Sequence, residues 1–205
     1  MDITILLFDN FTALDVVGPY EVLAKLPGAK ISFVSSQKGI YRDKSGLTLT
    51  ADFELSEILT SDVLLLPGGF GIDALLKNEV LISWIRAIDQ TSQWTVSVCS
   101  GALLLAEAGL LNNKRCTTHW QRKDQLCKYG VQVVEGSDRF VRDGKNITSA
   151  GVSAGIDMAL YLASLVANEQ TAKTIQLALE YDPHPPFDCG SPVKAPEEIL
   201  ARLRR

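Results

Sequence analysis

Compact apolar runs alternate with longer amphipathic segments along this chain. The apolar runs at residues 3–8, 31–35 and 94–98 predict strands, and residues 62–71 predict a further strand that ends in a glycine-rich turn. Apolar residues at helical spacing predict helices at residues 78–88, directly after Cys99, and at residues 120–128, 154–166 and 169–178. Strands separated by helices predict an α/β fold, in which a mostly parallel central sheet carries helices on both faces. We expect a single domain over residues 1–205.

Four further segments depart from this simple alternation. Residues 39–51 predict a hairpin or an irregular excursion, and residues 140–149 predict a pair of strands joined by a turn. The segment FTALDVVGPYEVLAKLPGAK follows a helical pattern, which Gly18-Pro19 is predicted to interrupt. A proline-rich tail follows the last predicted helix.

The composition narrows the classes of partner and the cellular location. Of the 205 residues, 46% are hydrophobic and 21% are charged, and the formal net charge is −4, so we expect neither nucleic acid nor an anionic membrane as a partner. No apolar run approaches the ~20 residues of a membrane span, and Asp2 stands where a secretory signal would be basic. The four cysteines lack paired spacing, which favours reduced thiols and a cytoplasmic location.

Three candidate residues follow three of the predicted strands. In parallel α/β sheets, ligands bind where the carboxyl ends of the strands open into loops. Asp15, Gly69 and Cys99 each lie beyond such an end, and they converge on one crevice if their strands are neighbours. This placement predicts a small-molecule site at that edge of the sheet.

Cys99 stands at a junction between strand and helix, in the sequence SVCSGALLLAEAGLL. A sharp corner needs small neighbours, which Ser97 and Gly101 provide, and it pushes the corner side chain outward as a nucleophile elbow does. The dipole of the following helix favours the thiolate, so we expect Cys99 to have a lowered pKa. The alternative is a small buried hydrophobic residue, which is our interpretation of the other three cysteines.

Gly69 and Asp15 each have a structural and a chemical interpretation. Gly69, in LLLPGG, either makes an ordinary tight turn or lets backbone amides form a nest for developing negative charge. Asp15, in ALDVVGPYEV, either caps a helix or is a partly buried acid with a raised pKa that exchanges protons. Both alternatives stay open at this point. In an elbow, the backbone N–H of Ser100 is one oxyanion donor, and the Gly69 amide would be the second.

His119, in CTTHW, is one of two histidines in the chain. It is either a general base for Cys99 or a packed histidine with one hydrogen bond. Cys116 and His119 form a C-x-x-H pair, but no second pair follows at zinc spacing, so we expect no metal site. Neither the phosphate-loop motif nor the dinucleotide-binding glycine motif occurs, which argues against a nucleotide cofactor.

In combination, these motifs resemble a known family. LDVVGPYEVL, LLLPGG, a strand-end cysteine before GALLLAEAGLL, and TTHW occur here as in the ThiJ/PfpI branch of the class I glutamine amidotransferase-like superfamily. The resemblance spans essentially the whole chain. It implies a flavodoxin-like fold, Cys99 at the nucleophile elbow, a homodimer and a small-molecule substrate.

The resemblance also implies an activity. Peptidase and glyoxalase-type members carry His directly after the nucleophile, where this chain has Ser100, and the chain ends at Arg205, so we do not expect the DNA-binding domain of the family's regulators. The ending EYDPHPPFDCGSP is most similar to members that hydrate isonitriles, with Cys99 as nucleophile, Asp15 as acid and base, and no cofactor. The alternatives are another Cys-dependent hydrolase, glyoxalase or deglycase, or a non-enzymatic redox-sensing or chaperone-like protein.

Overall fold

The computed structural model describes residues 1–203, so the last two residues of the predicted domain lie outside the described part. The strands are β1 (Asp2–Leu6), β2 (Lys30–Ser35), β3 (Gly39–Arg42), β4 (Thr48–Ala51), β5 (Phe53–Glu54), β6 (Val63–Leu66), β7 (Trp94–Val98), β8 (Arg115–Cys116), β9 (Gln132–Val133), β10 (Phe140–Asp143) and β11 (Asn146–Ser149). The helices are α1 (Ala13–Leu23), α2 (Ile72–Leu75), α3 (Glu79–Thr91), α4 (Ala102–Glu107), α5 (Lys123–Cys127), α6 (Ala154–Val166), α7 (Glu169–Ala178) and α8 (Glu197–Leu203).

Seven strands form the central sheet in the order β10-β11-β7-β6-β1-β2-β5. All neighbouring strands are parallel except β10 and β11, which form an antiparallel pair. The helices form two groups. In one group α6 packs against α1 and α7, and in the other α4 packs against α2, α3 and α5. The predicted α/β fold, with a mostly parallel sheet between helices, is confirmed.

The central strands are almost entirely buried because helices cover both of their faces. Every residue of β6, VLLL, is fully buried, and so are the four C-terminal residues of β1. Among the helices, α3 is amphipathic and begins after Asn78, whose side chain accepts the N–H of Leu81 at 3.1 Å. The candidate residues Asp15, Gly69 and Cys99 lie beyond the C-terminal ends of the buried strands β1, β6 and β7.

Two predictions about helices were wrong. Helix α1 runs unbroken through Gly18 and Pro19, because both residues are buried where α6 packs closely. A Cβ on Gly18 would lie 3.0 Å from the side chain of Ile156, and a Cβ on Gly155 would lie 3.1 Å from the ring of Pro19. The proline-rich tail is followed by one more helix, α8, which the pattern did not reveal.

Candidate active site

The backbone turns sharply at Cys99. Val98, at the end of β7, is extended with φ −119° and ψ 141°, whereas Cys99 has a φ of +57°, in the left-handed region. A 3₁₀ turn over Cys99–Gly101 then leads into α4. Such a conformation costs a non-glycine residue about 1–3 kcal/mol and persists where the surroundings impose it. The predicted corner between strand and helix is therefore present, with Cys99 at its apex.

The elbow (Cys99–Gly101) packs closely against the β6 turn (residues 67–71), and this packing requires glycine at two positions. A Cβ on Gly101 would lie 2.1 Å from the carbonyl oxygen of Leu66, and a Cβ on Gly68 would lie 2.5 Å from the backbone nitrogen of Ser100. Real Cβ atoms do not approach backbone this closely, so any other residue would push the two loops apart. Gly68 and Gly101 thus allow the β6 turn to lie directly against Cys99 and Ser100.

Asp15 lies in the first turn of α1 and is fully buried. Its Oδ2 atom accepts the N–H of Gly68 at 3.0 Å, whereas Oδ1 has no N–H or O–H donor among residues 1–203. The thiol of Cys99 contacts the same carboxyl group. The N-cap of α1 is Thr12, so the structure places Asp15 as a buried acid and not as a helix cap.

The pKa of Asp15 is raised from 3.8 to about 7. Burial is the largest cause, because a carboxylate loses its hydration in this position. The hydrogen bonds from Gly68 and Cys99 favour the carboxylate and lower the pKa by less. A group with a pKa near neutrality both donates and accepts protons under physiological conditions.

The predicted lowering of the Cys99 pKa was wrong. Burial, followed by the negative charge of Asp15, raises the pKa of the thiol to about 12, although the N–H and the hydroxyl of Ser100 lower it. The residue is only 8% exposed, and α4 begins three residues later, at Ala102. Loss of hydration and a neighbouring carboxylate outweigh a short helix dipole. This environment favours the protonated thiol of Cys99 over the thiolate.

Ser100 and Gly69 meet across the crevice. The N–H of Gly69 donates to Oγ of Ser100 at 3.1 Å, and the Ser100 hydroxyl lies 3.5 Å from the carbonyl oxygen of Gly69. Hydrogen bonding by the N–H and the side chain of Ser100 lowers the pKa of the Cys99 thiol. Ser100 directly follows Cys99 in the elbow, and the service of its N–H as the first oxyanion donor stays a prediction. The Gly69 N–H positions the Ser100 hydroxyl, and its service as a second oxyanion donor stays a prediction.

His119 reaches the cavity as a neutral, packed side chain. Its Nδ1 accepts the N–H of Gln121 at 3.3 Å, so the neutral ring carries its proton on Nε2. Burial, and then the charge of Arg122, lower the pKa of the ring. The ring lies on Gly151, where a Cβ would come within 2.2 Å of Cδ2. These contacts favour the packed histidine over the general base.

Cys99, Ser100 and His119 line a cavity of about 450 Å³, within the usual range of about 300–1,000 Å³ for small-molecule sites. The wall includes an ion pair that the sequence analysis did not identify, in which Arg122 Nη2 lies 2.7 Å from Asp73 Oδ2. The two partners are 49 positions apart, so no local pattern could have revealed their contact.

Two negative findings apply to the part of the chain that the structure describes. Residues 1–203 contain no cluster of three or more His, Cys, Asp or Glu side chains arranged to hold a metal ion. Over the same residues, no helix combines the length and the apolar character that crossing a membrane requires.

Comparison with known proteins places the chain in a family. Residues 1–165 match the DJ-1/PfpI family. An isonitrile hydratase from Pseudomonas putida is 42% identical over 207 aligned positions, which cover 100% of this chain and 89% of the relative. A deglycase from Pyrococcus abyssi is 28% identical over 151 positions, covering 73% of this chain and 89% of the relative. A crystal structure of a ThiJ/PfpI family protein from Pseudomonas syringae superposes with a TM-score of 0.94 at 33% identity, over 98% of this chain and 84% of that one. The chain belongs to the DJ-1/PfpI family.

Proposed function

We propose that this protein is an isonitrile hydratase, which adds water to an isonitrile and releases an N-substituted formamide. The observation that carries the proposal is the buried contact between Cys99 and Asp15. This contact supports Cys99 as the nucleophile and Asp15 as its proton carrier, because the pKa of Asp15 is about 7 and Cys99 lines a cavity that suits a small molecule. The Pseudomonas putida relative supports the proposal, because its similarity extends over the whole chain.

The first half of the reaction forms a thioimidate on Cys99. The thiol proton passes to the carboxylate of Asp15 as the sulfur becomes nucleophilic. Asp15 then delivers that proton to the isonitrile carbon while the sulfur bonds to the same carbon, which gives R–N=CH–S–Cys99. One S–C bond and one C–H bond have formed and no group has left. The N–H and the hydroxyl of Ser100 stabilise the thiolate as it develops.

The second half releases the formamide. Asp15 takes a proton from water, whose oxygen bonds to the thioimidate carbon, and that proton passes to the nitrogen. The carbon–sulfur bond of R–NH–CH(OH)–S–Cys99 then breaks, and its electron pair returns to the sulfur. The hydroxyl proton returns through Asp15 to Cys99, so R–NH–CHO leaves and the net consumption is one water molecule.

Formamide production from n-butyl isonitrile, followed by NMR, tests this proposal. The wild type is expected to turn over and Cys99→Ala to be inactive. Cys116→Ala is the matched control, because Cys116 is also buried and burial also raises the pKa of its thiol, to about 11. Absence of formamide with folded wild type, or retained activity in Cys99→Ala, would overturn the proposal.

Deglycation is the second candidate, favoured by the similarity to the Pyrococcus abyssi deglycase. The same preparations are therefore assayed with methylglyoxal-modified N-acetylcysteine. Release of the free thiol without any isonitrile turnover would replace the hydratase by the deglycase. The homodimer and the cytoplasmic location stay predictions.

A further inference from the structure

We propose that Thr118 is a positioning residue, which holds the Cys99 peptide in its left-handed conformation and thereby fixes the sulfur against Asp15. Its effect on turnover rests on the proposed function, whereas its effect on the reactivity of the thiol does not. Thr118 lies between β8 and the 3₁₀ turn Trp120–Arg122, and it is fully buried.

Two hydrogen bonds from separate segments hold the backbone of Cys99. Its N–H donates to the carbonyl oxygen of Ala150, which follows β11, at 3.0 Å. Its carbonyl oxygen accepts the hydroxyl of Thr118 at 2.7 Å. A non-glycine residue with a φ of +57° needs such constraints, because the left-handed region is strained for a side chain with a Cβ.

The Thr118 bond also determines where the Ser100 N–H points. The carbonyl group of Cys99 and the N–H of Ser100 belong to the same planar peptide, so fixing one fixes the other. That N–H hydrogen-bonds to the Cys99 sulfur. Thr118 therefore acts through the peptide on both the nucleophile and its N–H donor, although it contacts neither the sulfur nor Asp15 through this bond.

Four variants separate positioning from plain stability. Thr118→Val keeps the shape and removes the hydroxyl, Thr118→Ala removes it with less bulk, and Thr118→Ser retains it. Thr148→Val is the matched control, since Thr148 is 1% exposed and its Oγ1 accepts the N–H of Thr117 at 2.8 Å, a buried bond that does not involve Cys99. Val at either position leaves a buried backbone group without its partner, so both variants lose stability.

The first readout is the rate at which iodoacetamide alkylates Cys99 at pH 8.5, resolved by peptide mass spectrometry. The exposed Cys127 serves as reference in the same molecule. Burial and the charge of Asp15 keep the thiol protonated, and both depend on a fixed sulfur. Removal of the Thr118 hydroxyl is therefore expected to raise the Cys99 rate about threefold or more, while Thr118→Ser and Thr148→Val stay at the wild-type rate.

The second readout is steady-state turnover of n-butyl isonitrile. We expect kcat to fall about tenfold or more in Thr118→Val and Thr118→Ala with little change in KM, and Thr118→Ser to restore it. If the wild type forms no formamide, the proposed function fails and the alkylation rates still decide the role of Thr118.

Three results would overturn the positioning role. The first is a wild-type alkylation rate in folded Thr118→Val or Thr118→Ala. The second is an equal acceleration in Thr148→Val. The third is that neither hydroxyl-free variant folds while Thr148→Val does, which would make Thr118 a residue of the fold alone.

Discussion

Cys99 and Asp15 contact each other where water has little access, so a charge on either group is costly. The carboxylate of Asp15 raises the pKa of the thiol further, whereas the hydrogen bond from Cys99 partly offsets the rise at Asp15. At neutral pH the thiol, with a pKa of about 12, keeps its proton beside a carboxyl group with a pKa of about 7. Both shifts come first from burial, which the sequence pattern does not reveal. In the proposed reaction the thiolate is therefore formed by proton transfer to Asp15, and a standing thiolate is not required.

Asp15→Asn is expected to change turnover and thiol reactivity in opposite directions. Loss of the proton carrier should lower isonitrile turnover by about 100-fold or more. The charge of the Asp15 carboxylate raises the pKa of Cys99, so its removal should lower that pKa and speed the alkylation of Cys99 by iodoacetamide at pH 8.5. Formamide assays and peptide mass spectrometry measure the two effects. Slower alkylation in Asp15→Asn would mean that Asp15 acts on the resting thiol mainly as a base.

His119→Asn is expected to reduce turnover by less than about tenfold, because the lost contacts are those of packing. The Nδ1 atom is engaged by the N–H of Gln121, and Asp15 carries both proton transfers in the proposed reaction. Steady-state kinetics with a circular dichroism control measure the effect. A fall of about 10³-fold in a folded variant would instead assign His119 a direct proton transfer.

At the scale of the elements, the site depends on how closely the β6 turn approaches the elbow after β7. Gly101 lies against the carbonyl of Leu66, and Gly68 lies against Ser100. These backbone contacts leave no room for a side chain, so the elbow and the turn form one unit. The strain at Cys99 is accommodated by this unit and by two hydrogen bonds, one that Cys99 accepts from the Thr118 hydroxyl and one that it donates to the Ala150 carbonyl.

Gly101→Ala is expected to destabilise the protein by about 1–3 kcal/mol or more, since its Cβ would meet backbone that cannot move aside. Gly190→Ala is the matched control, because a Cβ there meets nothing within 4 Å and the residue has no positive φ. Urea denaturation measures both free energies of unfolding. Equal stability of the two variants would show that the β6 turn adapts freely.

The strongest patterns gave the right elements, including their bounds. The predicted strand at 94–98 and the predicted helices at 154–166 and 169–178 coincide with β7, α6 and α7. Their hydrophobic periodicity and their packing agree, which makes their ends easy to locate. The unbroken α1 was not predictable, because contacts with α6 stabilise the segment around Pro19.

The candidate site was predictable in its position and less so in its chemistry. The corner at Cys99 followed from small residues between a strand and a helix, and the placement of Asp15 followed from strand order. The direction of the Cys99 pKa shift depends on burial, which arises only when the helices close over the sheet. Thr118 was equally hidden, because its bond joins residues 19 positions apart.

At the scale of the whole molecule, the buried Asp15 makes folding stability depend on pH. Its pKa is 3.8 as a free side chain and about 7 in the folded protein, so between these values the unfolded chain binds fewer protons. This group therefore lowers the free energy of unfolding as the pH rises from 4 to 7, and its effect is constant outside that window.

Asp15→Asn is expected to remove this dependence. The variant should match the wild type in stability near pH 4 and exceed it at pH 8 by up to roughly 4 kcal/mol. Thermal unfolding across the pH range measures the difference. If wild type and Asp15→Asn differed in free energy of unfolding by the same amount at pH 4 and at pH 8, Asp15 would have an ordinary pKa in the folded protein.

The central claim is that Cys99 forms a covalent adduct that contains the whole isonitrile. Acid quenching during turnover of phenyl isonitrile, followed by peptide mass spectrometry, detects such an adduct directly. The account predicts an increase equal to the mass of the isonitrile on the Cys99 peptide of the wild type and of Cys116→Ala, and no such increase in Asp15→Asn. Formamide production with no adduct on Cys99, or with the adduct on another cysteine, would contradict it.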